Sequence, residues 1–153
     1  MQKITPFLWF DDQAEEAARF YVSVFEKDSK ILGTDRYGEA GPGAPGSVMS
    51  VRFRLAGQDF YALNGGPVYK LNPAFSLFVD CKTQREIDTL YRKLSAGGVE
   101  QRCGWITDRF GLTWQIVFSG ISDLIKDQRA MKAMLGMKKL DMAKLKAAAK
   151  GRP

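Results

Sequence analysis

The order in which periodic segments follow one another constrains this chain more than any single motif does. Residues 4–10 are β-rich and aromatic, with Phe7 and Trp9 on one face and Leu8 and Phe10 on the other by two-residue alternation. Both faces are apolar, which predicts a strand covered on both sides. Asp11 or Asp12 then offers an N-cap, and Ala14, Ala17, Ala18, Tyr21 and Phe25 recur at helical spacing, so residues 13–25 read as an amphipathic helix. A second strand is expected over 29–37. Residues 47–55 alternate Val48, Ser50, Arg52 and Arg54 against Met49, Val51, Phe53 and Leu55, turn at Ala56-Gly57 and continue over 58–63, the pattern of a β-hairpin. The order is β-α-β-β-β.

The same order then begins again. Residues 74–79 read as a strand, the 80–83 stretch caps a helix carrying Ile87, Leu90, Tyr91 and Leu94, and Gly97-Gly98 ends it. Short strands follow over 99–102 and 104–106, a turn at 108–111, and a strong strand over 112–118. Glu16 and Glu86, then Phe20-Tyr21 and Leu90-Tyr91, share an offset of 70 positions. Self-similarity at a fixed offset is the mark of a duplicated unit. We therefore expect an α+β fold of two β-α-β-β-β modules, residues 1–66 and 67–119, followed by a helical basic tail over 120–153.

Composition narrows the function classes. Hydrophobic residues make up 45% and charged residues 26%, an ordinary globular balance. No apolar run reaches the roughly 20 residues of a bilayer-spanning helix, and the first residues lack a secretory cleavage pattern, so a cytoplasmic location without membrane contact is expected. The net charge of +6 is uneven. Residues 129–153 hold eight basic side chains against one acid, Asp141, a local +7, and the rest of the chain therefore sums to −1. Within the tail Met131, Met134, Leu135, Met137, Leu140 and Leu145 form an apolar stripe, which predicts docking rather than nucleic-acid binding. There is no histidine, which removes the commonest general base and the commonest metal ligand together. Cys81 and Cys103 form no C-x-x-C pair and read as structural thiols.

The stretches ITPFLWFDDQAEEAARFYVSVF, YGEAGPGAPGSVMSVRF, FYALNGGP and CGWITDRFGLTWQIV together resemble PhnB-like domains of the glyoxalase and bleomycin-resistance (vicinal oxygen chelate) superfamily, a group also labelled 3-demethylubiquinone-9 3-methyltransferase. The resemblance runs from Ile4 to about Val117. It implies paired β-α-β-β-β modules with curled mixed sheets, commonly assembled as homodimers. It also implies where a metal would sit in metal-dependent relatives, on the first and last strands of a module. Those places hold Thr5, Phe7 and Trp9, then Phe75, Ser76 and Phe78, and Gln115 stands where such relatives carry Glu; none is a competent ligand for a transition metal. No metal and no cofactor are therefore expected. The methyltransferase label lacks its usual physical basis, because the Gly-rich segment lies between two strands and does not open a helix.

Phe7, Trp9, Tyr61, Trp105 and Trp114 are the candidate lining of a sheet-floored cup for a small apolar or aromatic molecule, with Asn64 and Gln115 as polar anchors. The loop over 38–46, with four glycines and two prolines, reads as a mobile flap or dimer-contact arm, and Arg36, Tyr37 and Glu39 beside it are candidates to close over a ligand. Two rival readings are a metal-dependent isomerase or lyase of the glyoxalase type, and an interaction protein contacting nucleic acid or an acidic partner through its tail. No catalytic acid–base pair can be named.

Overall fold

The computed structural model describes residues 2–152, and the chain falls into two compact units, Met1–Leu71 and Asn72–Pro153. The first unit runs β1 (Phe7–Phe10), α1 (Ala14–Phe25), β2 (Lys30–Arg36), β3 (Val48–Leu55) and β4 (Gln58–Asn64). Its four strands form one mixed sheet in the order β1-β4-β3-β2, with β1 parallel to β4 and the other pairs antiparallel. Pleating places Leu8, Phe10, Val51, Phe53, Leu55, Phe60 and Ala62 on the face that α1 covers, and all are buried. From the helix, Ala14, Ala17, Ala18 and Tyr21 are fully buried against them, and the Phe53 and Phe60 rings stack at 5.4 Å. The small alanines allow close approach, while the aromatics fill the space further along.

The expectation that β1 is covered on both faces is corrected by this unit. Leu8 and Phe10 are 2% and 4% exposed, whereas Phe7 is 56% exposed. Among the described residues of this unit one helix covers one face of the sheet, and no helix covers the other. The expected aspartate cap is corrected as well. The helix N-cap is Gln13, without a side-chain bond, and the first helical N–H, that of Ala14, donates at 2.7 Å to Asn64 Oδ1 from the end of β4. A helix end is thus satisfied across 50 residues of sequence, joining β4 to α1.

The second unit repeats the order as β5 (Ser76–Cys81), α2 (Gln84–Ser95), β6 (Val99–Glu100), β7 (Trp105–Thr107) and β8 (Thr113–Phe118). Its sheet order is β5-β8-β7-β6, the counterpart of the first, again with the outer pair β5 and β8 parallel. Here the cap is local. Thr83 accepts from the Glu86 N–H at 3.1 Å while Glu86 Oε2 accepts from the Lys82 N–H at 2.9 Å, a reciprocal arrangement that satisfies two donors at the start of α2. Gly98 lets the chain leave the helix at close quarters, since a Cβ there would lie 2.2 Å from the Thr107 carbonyl oxygen.

Three further helices, α3 (Ile121–Leu124), α4 (Gln128–Leu135) and α5 (Met142–Ala149), belong to this second unit. The link between α4 and α5 is hydrogen-bonded to it: Cys103 N–H donates to the Met137 carbonyl at 2.8 Å, Gly104 N–H to that of Lys138 at 2.7 Å, and the Gln84 amide bonds both Leu140 O and Met142 N. Leu140 and Leu145 are fully buried, and Ala130 with them. Leu135, expected in the docking stripe, is instead 55% exposed. It lies past the buried arc of α4, where the helix is about to end at Gly136. Among the described residues no helix is long and apolar enough to cross a membrane.

Candidate functional site

The candidate residues divide between opposite faces of their sheets. Phe7 and Trp9 register with Tyr61 and Leu63 on the face of the first sheet away from α1, next to Arg52 and Ser50 of β3. Asn64 stands an odd number of positions from Tyr61 and so points to the helix side. There its Oδ1 caps α1 and its Nδ2 donates to the Val48 carbonyl at 3.1 Å. In the second unit Gln115 and Trp105 register together with Phe78 on the helix-free face, while Trp114 lies on the other. Trp114 is 1% exposed and its indole N–H donates to Asp108 Oδ2 at 2.8 Å, so this residue is core and lines no opening. Gln115 donates to Ser76 Oγ at 2.9 Å, a partner from its own sheet.

On the helix-free face of the first sheet the Phe7 and Tyr61 rings stack at 5.4 Å and 24°. Trp9 is held more firmly: its indole N–H donates to the Gly66 carbonyl at 2.9 Å, Tyr69 meets its ring edge-on at 5.0 Å, and Gly65 lies so close that a Cβ would come within 2.4 Å of the indole. Beside Tyr61 is a depression of about 220 Å³ lined by Gln2, Lys3, Thr5, Leu32, Arg52, Asp59, Phe60 and Tyr61. The N-terminal segment is fixed along it because Gln2 bonds β4 through both ends of its amide, donating to the Asp59 carbonyl and accepting from the Asp59 N–H. Asp59 is engaged by Arg54, with Nε 2.6 Å from Oδ1. That hydrogen bond lowers the Asp59 pKa below the usual carboxylate value and raises that of Arg54. Sequence alone did not single out Lys3, Leu32 or Arg52 for this depression, and it weighed Thr5 only as a metal position. Its signal for Arg52 was present, as the polar partner of the Val51, Phe53 and Leu55 alternation.

A larger hollow of about 540 Å³ lies on the helix side, among the start of α1, the end of β4 and the Gly-rich loop. Asp11, Asp12, Glu15, Glu16, Tyr37 and Asn64 line it. Four acids at the N-terminal end of a helix have an ordinary role in offsetting its dipole. The loop is held at several points in this structure. Tyr37 is 8% exposed, its hydroxyl donates to the Asn64 carbonyl at 2.5 Å, and the backbone of Tyr37 exchanges hydrogen bonds with Ser47 and Gly46. Gly41 and Gly43 pass so near the Tyr37 ring that a Cβ at either would lie 2.5 or 2.3 Å from it. Arg36 donates to the Gly46 carbonyl at 3.0 Å and closes the loop at its base, while Glu39 is exposed at its tip. The glycines therefore let the loop wrap a tyrosine.

The places where metal-dependent relatives hold a cation do not fit one here. Phe7 and Trp9 are engaged in ring contacts and Gln115 bonds Ser76. Among the described residues no group of three or more His, Cys, Asp or Glu side chains could hold a metal ion. The free thiols add no ligand cluster, since Cys81 is buried and desolvation pushes its pKa up to about 12.

Comparison with known proteins gives the family and the fold. The sequence model of the family described as 3-demethylubiquinone-9 3-methyltransferase matches residues 2–117. A solved Bacillus cereus structure described as a 3-demethylubiquinone-9 3-methyltransferase, PhnB protein, is 38% identical, with a TM-score of 0.70, covering 77% of this chain and 100% of its own. A Pseudomonas aeruginosa protein is 22% identical with a TM-score of 0.63, over 76% of this chain and 96% of its own. The fosfomycin resistance protein FosX of Listeria monocytogenes, solved with Mn(II) and sulfate, shares the fold at 14% identity and a TM-score of 0.53, over 74% of this chain and 90% of its own. No curated protein matches.

Proposed function

Since the chain belongs to the 3-demethylubiquinone-9 3-methyltransferase (PhnB-like) family, with the glyoxalase and bleomycin-resistance fold, we propose that it binds a small apolar or aromatic molecule without a metal, on the helix-free face of its first sheet. The observation that carries this reading is the exposed Phe7 ring stacked on Tyr61 at the edge of the 220 Å³ depression. A large ring kept 56% exposed on a strand, beside a concavity, gains from covering by a ligand. The family label supplies no methyl-transfer chemistry by itself. The Gly-rich segment lies between β2 and β3, and each sheet is mixed, so the strand-to-helix glycine turn of a doubly wound cofactor fold has no counterpart among the described residues.

The glyoxalase-type alternative needs a divalent cation, and Gln115 with its phenylalanine neighbours offers no suitable donor set. The nucleic-acid alternative needs a free basic arm, whereas the tail is packed on the second unit through Leu140 and Leu145. We propose a homodimer, because β1 and β2 are outer strands of their sheet and unpaired edges favour association. The testing experiment is a fragment screen by ligand-observed NMR with the full chain, repeated with Phe7→Ala and Tyr61→Ala. Aromatic fragments should bind the parent chain and lose affinity about tenfold in each variant, near 1.4 kcal/mol. Equal binding by the variants refutes the site. Elemental analysis finding one metal per chain refutes the metal-free part.

A further inference from the structure

Arg52 occupies the middle of β3, registers with Tyr61 on one side and with Gly33 on the other, and lines the depression. Its side chain lies across Gly33: a Cβ built there would come within 2.6 Å of Arg52 Nη2. Glycine at that point of β2 is what gives the guanidinium a backbone floor to lie on. Unlike Arg54, which is bound to Asp59, Arg52 makes no hydrogen bond or ion pair to another described residue. Lys3 lines the same depression and likewise makes no hydrogen bond or ion pair to a described residue, with Thr5 and Tyr61 in the same lining. Asp59 is the one carboxylate in the lining, and Arg54 holds it; Arg52 is near enough to help lower its pKa further.

A half-buried, unpaired guanidinium resting on a strand is a preorganised fork of N–H donors, and that geometry matches an oxyanion bidentately. The neighbouring surface is aromatic. A cavity of about 150 Å³ holds a benzene ring, so 220 Å³ suits one ring with a charged substituent. We propose that the ligand is a compact aromatic acid whose anionic group is held by Arg52 and Lys3 while its ring lies against Tyr61. This rests on the aromatic-face reading above and adds the charge of the ligand to it.

The probes are benzoate and phenylphosphonate as acids, benzamide as their neutral counterpart, and inorganic phosphate as the bare anion, each titrated into the full chain and followed by NMR. At least one acid should bind about tenfold or more tighter than benzamide. Arg52→Gln should abolish that preference, weakening the acids about tenfold or more relative to benzamide. Gly33→Ala provides a second route, because its methyl group displaces the guanidinium without removing it, and should weaken the acids alone. Benzamide binding as tightly as both acids overturns the inference and leaves the aromatic site standing. Inorganic phosphate binding as tightly as phenylphosphonate also overturns it, since the ring then contributes nothing. No binding by any of the aromatic probes removes the aromatic site and the inference together.

Discussion

Leu140→Ala tests whether the basic tail is part of the folded body. Leu140 is fully buried, its side chain lies against the Gly104 backbone, and its carbonyl accepts from the Gln84 amide at 2.9 Å. The substitution keeps that carbonyl and removes only apolar atoms from a packed site. Leucine-to-alanine changes in such places cost about 2–5 kcal/mol, the transfer energy plus the cavity left behind. The surrounding link is tied by the Cys103–Met137 and Gly104–Lys138 hydrogen bonds, so it collapses little into the gap and a loss of about 3 kcal/mol is expected. With a urea m-value of about 2 kcal/mol/M, the midpoint should fall by roughly 1.5 M at unchanged m. Thermal melting should drop by about 6–12 °C at the 2–4 °C per kcal/mol of a chain this long. Leu135→Ala is the internal control: it stands 55% exposed in the neighbouring helix and should stay within about 0.5 kcal/mol of the parent. The reasoning fails if both variants melt together, for then the tail is not docked where Leu140 places it.

The start of α2 should be sensitive to its reciprocal cap: Thr83→Ala is expected to cost about 1 kcal/mol by urea titration, because it strands the Glu86 N–H. Asp108→Ala should cost more, about 2–4 kcal/mol, since that buried carboxylate accepts from the Phe110 and Leu112 N–H groups as well as the Trp114 indole, and the change should shift near-ultraviolet circular dichroism through Trp114. Native protein at pH 8 should alkylate at Cys103 and not at Cys81, whose thiol stays protonated until about pH 12; mass spectrometry showing equal labelling would refute its burial. The Asp88 carboxyl is lowered by its bond to Lys139, so its contribution is present above the unfolded value near 4 and is lost as pH falls through the lower folded value. Lys139→Ala should therefore narrow the stability difference between pH 6 and pH 3, by a small amount because both groups are exposed.

Element order was legible because each segment announces its own period, and helix and strand boundaries fell within a few residues: 13–25 became Ala14–Phe25, and 112–118 became Thr113–Phe118. Two-residue alternation also contained more of the site than was drawn from it. Tyr61 and Asn64, or Trp114 and Gln115, are at odd separations in single strands and cannot share a face, so a site listing all four was already inconsistent with the pleat. What alternation could not supply was long-range pairing. The capping of α1 by Asn64, the closure of Tyr37 onto the Asn64 carbonyl, and the clamp of Gln2 on β4 join residues tens of positions apart. A Gly-rich composition suggested a mobile flap or a dimer-contact arm; that two of its glycines pass close to the Tyr37 ring is a long-range contact composition could not show.

The two modules share an order of elements and differ in how far each helix-free face satisfies itself. In the second sheet the polar groups of that face find one another: Gln115 donates to Ser76, Gln101 donates to Thr107, and Thr107 pairs with Thr113 at 3.1 Å. A ligand there would have to displace hydrogen bonds already made, at a cost comparable to what it gained. In the first sheet the corresponding face leaves Arg52 without a hydrogen bond or ion pair among the described residues, next to a lysine and a stacked pair of rings. On the proposed reading only the first face recognises a ligand, so grafting should be asymmetric. Gln115→Arg would bury a new charge among satisfied neighbours and lower stability without creating affinity for benzoate, whereas Arg52→Gln would leave the fold intact and remove it. Urea denaturation of the two variants alongside a benzoate titration separates these outcomes, and a Gln115→Arg chain that gains benzoate binding at full stability would contradict the argument.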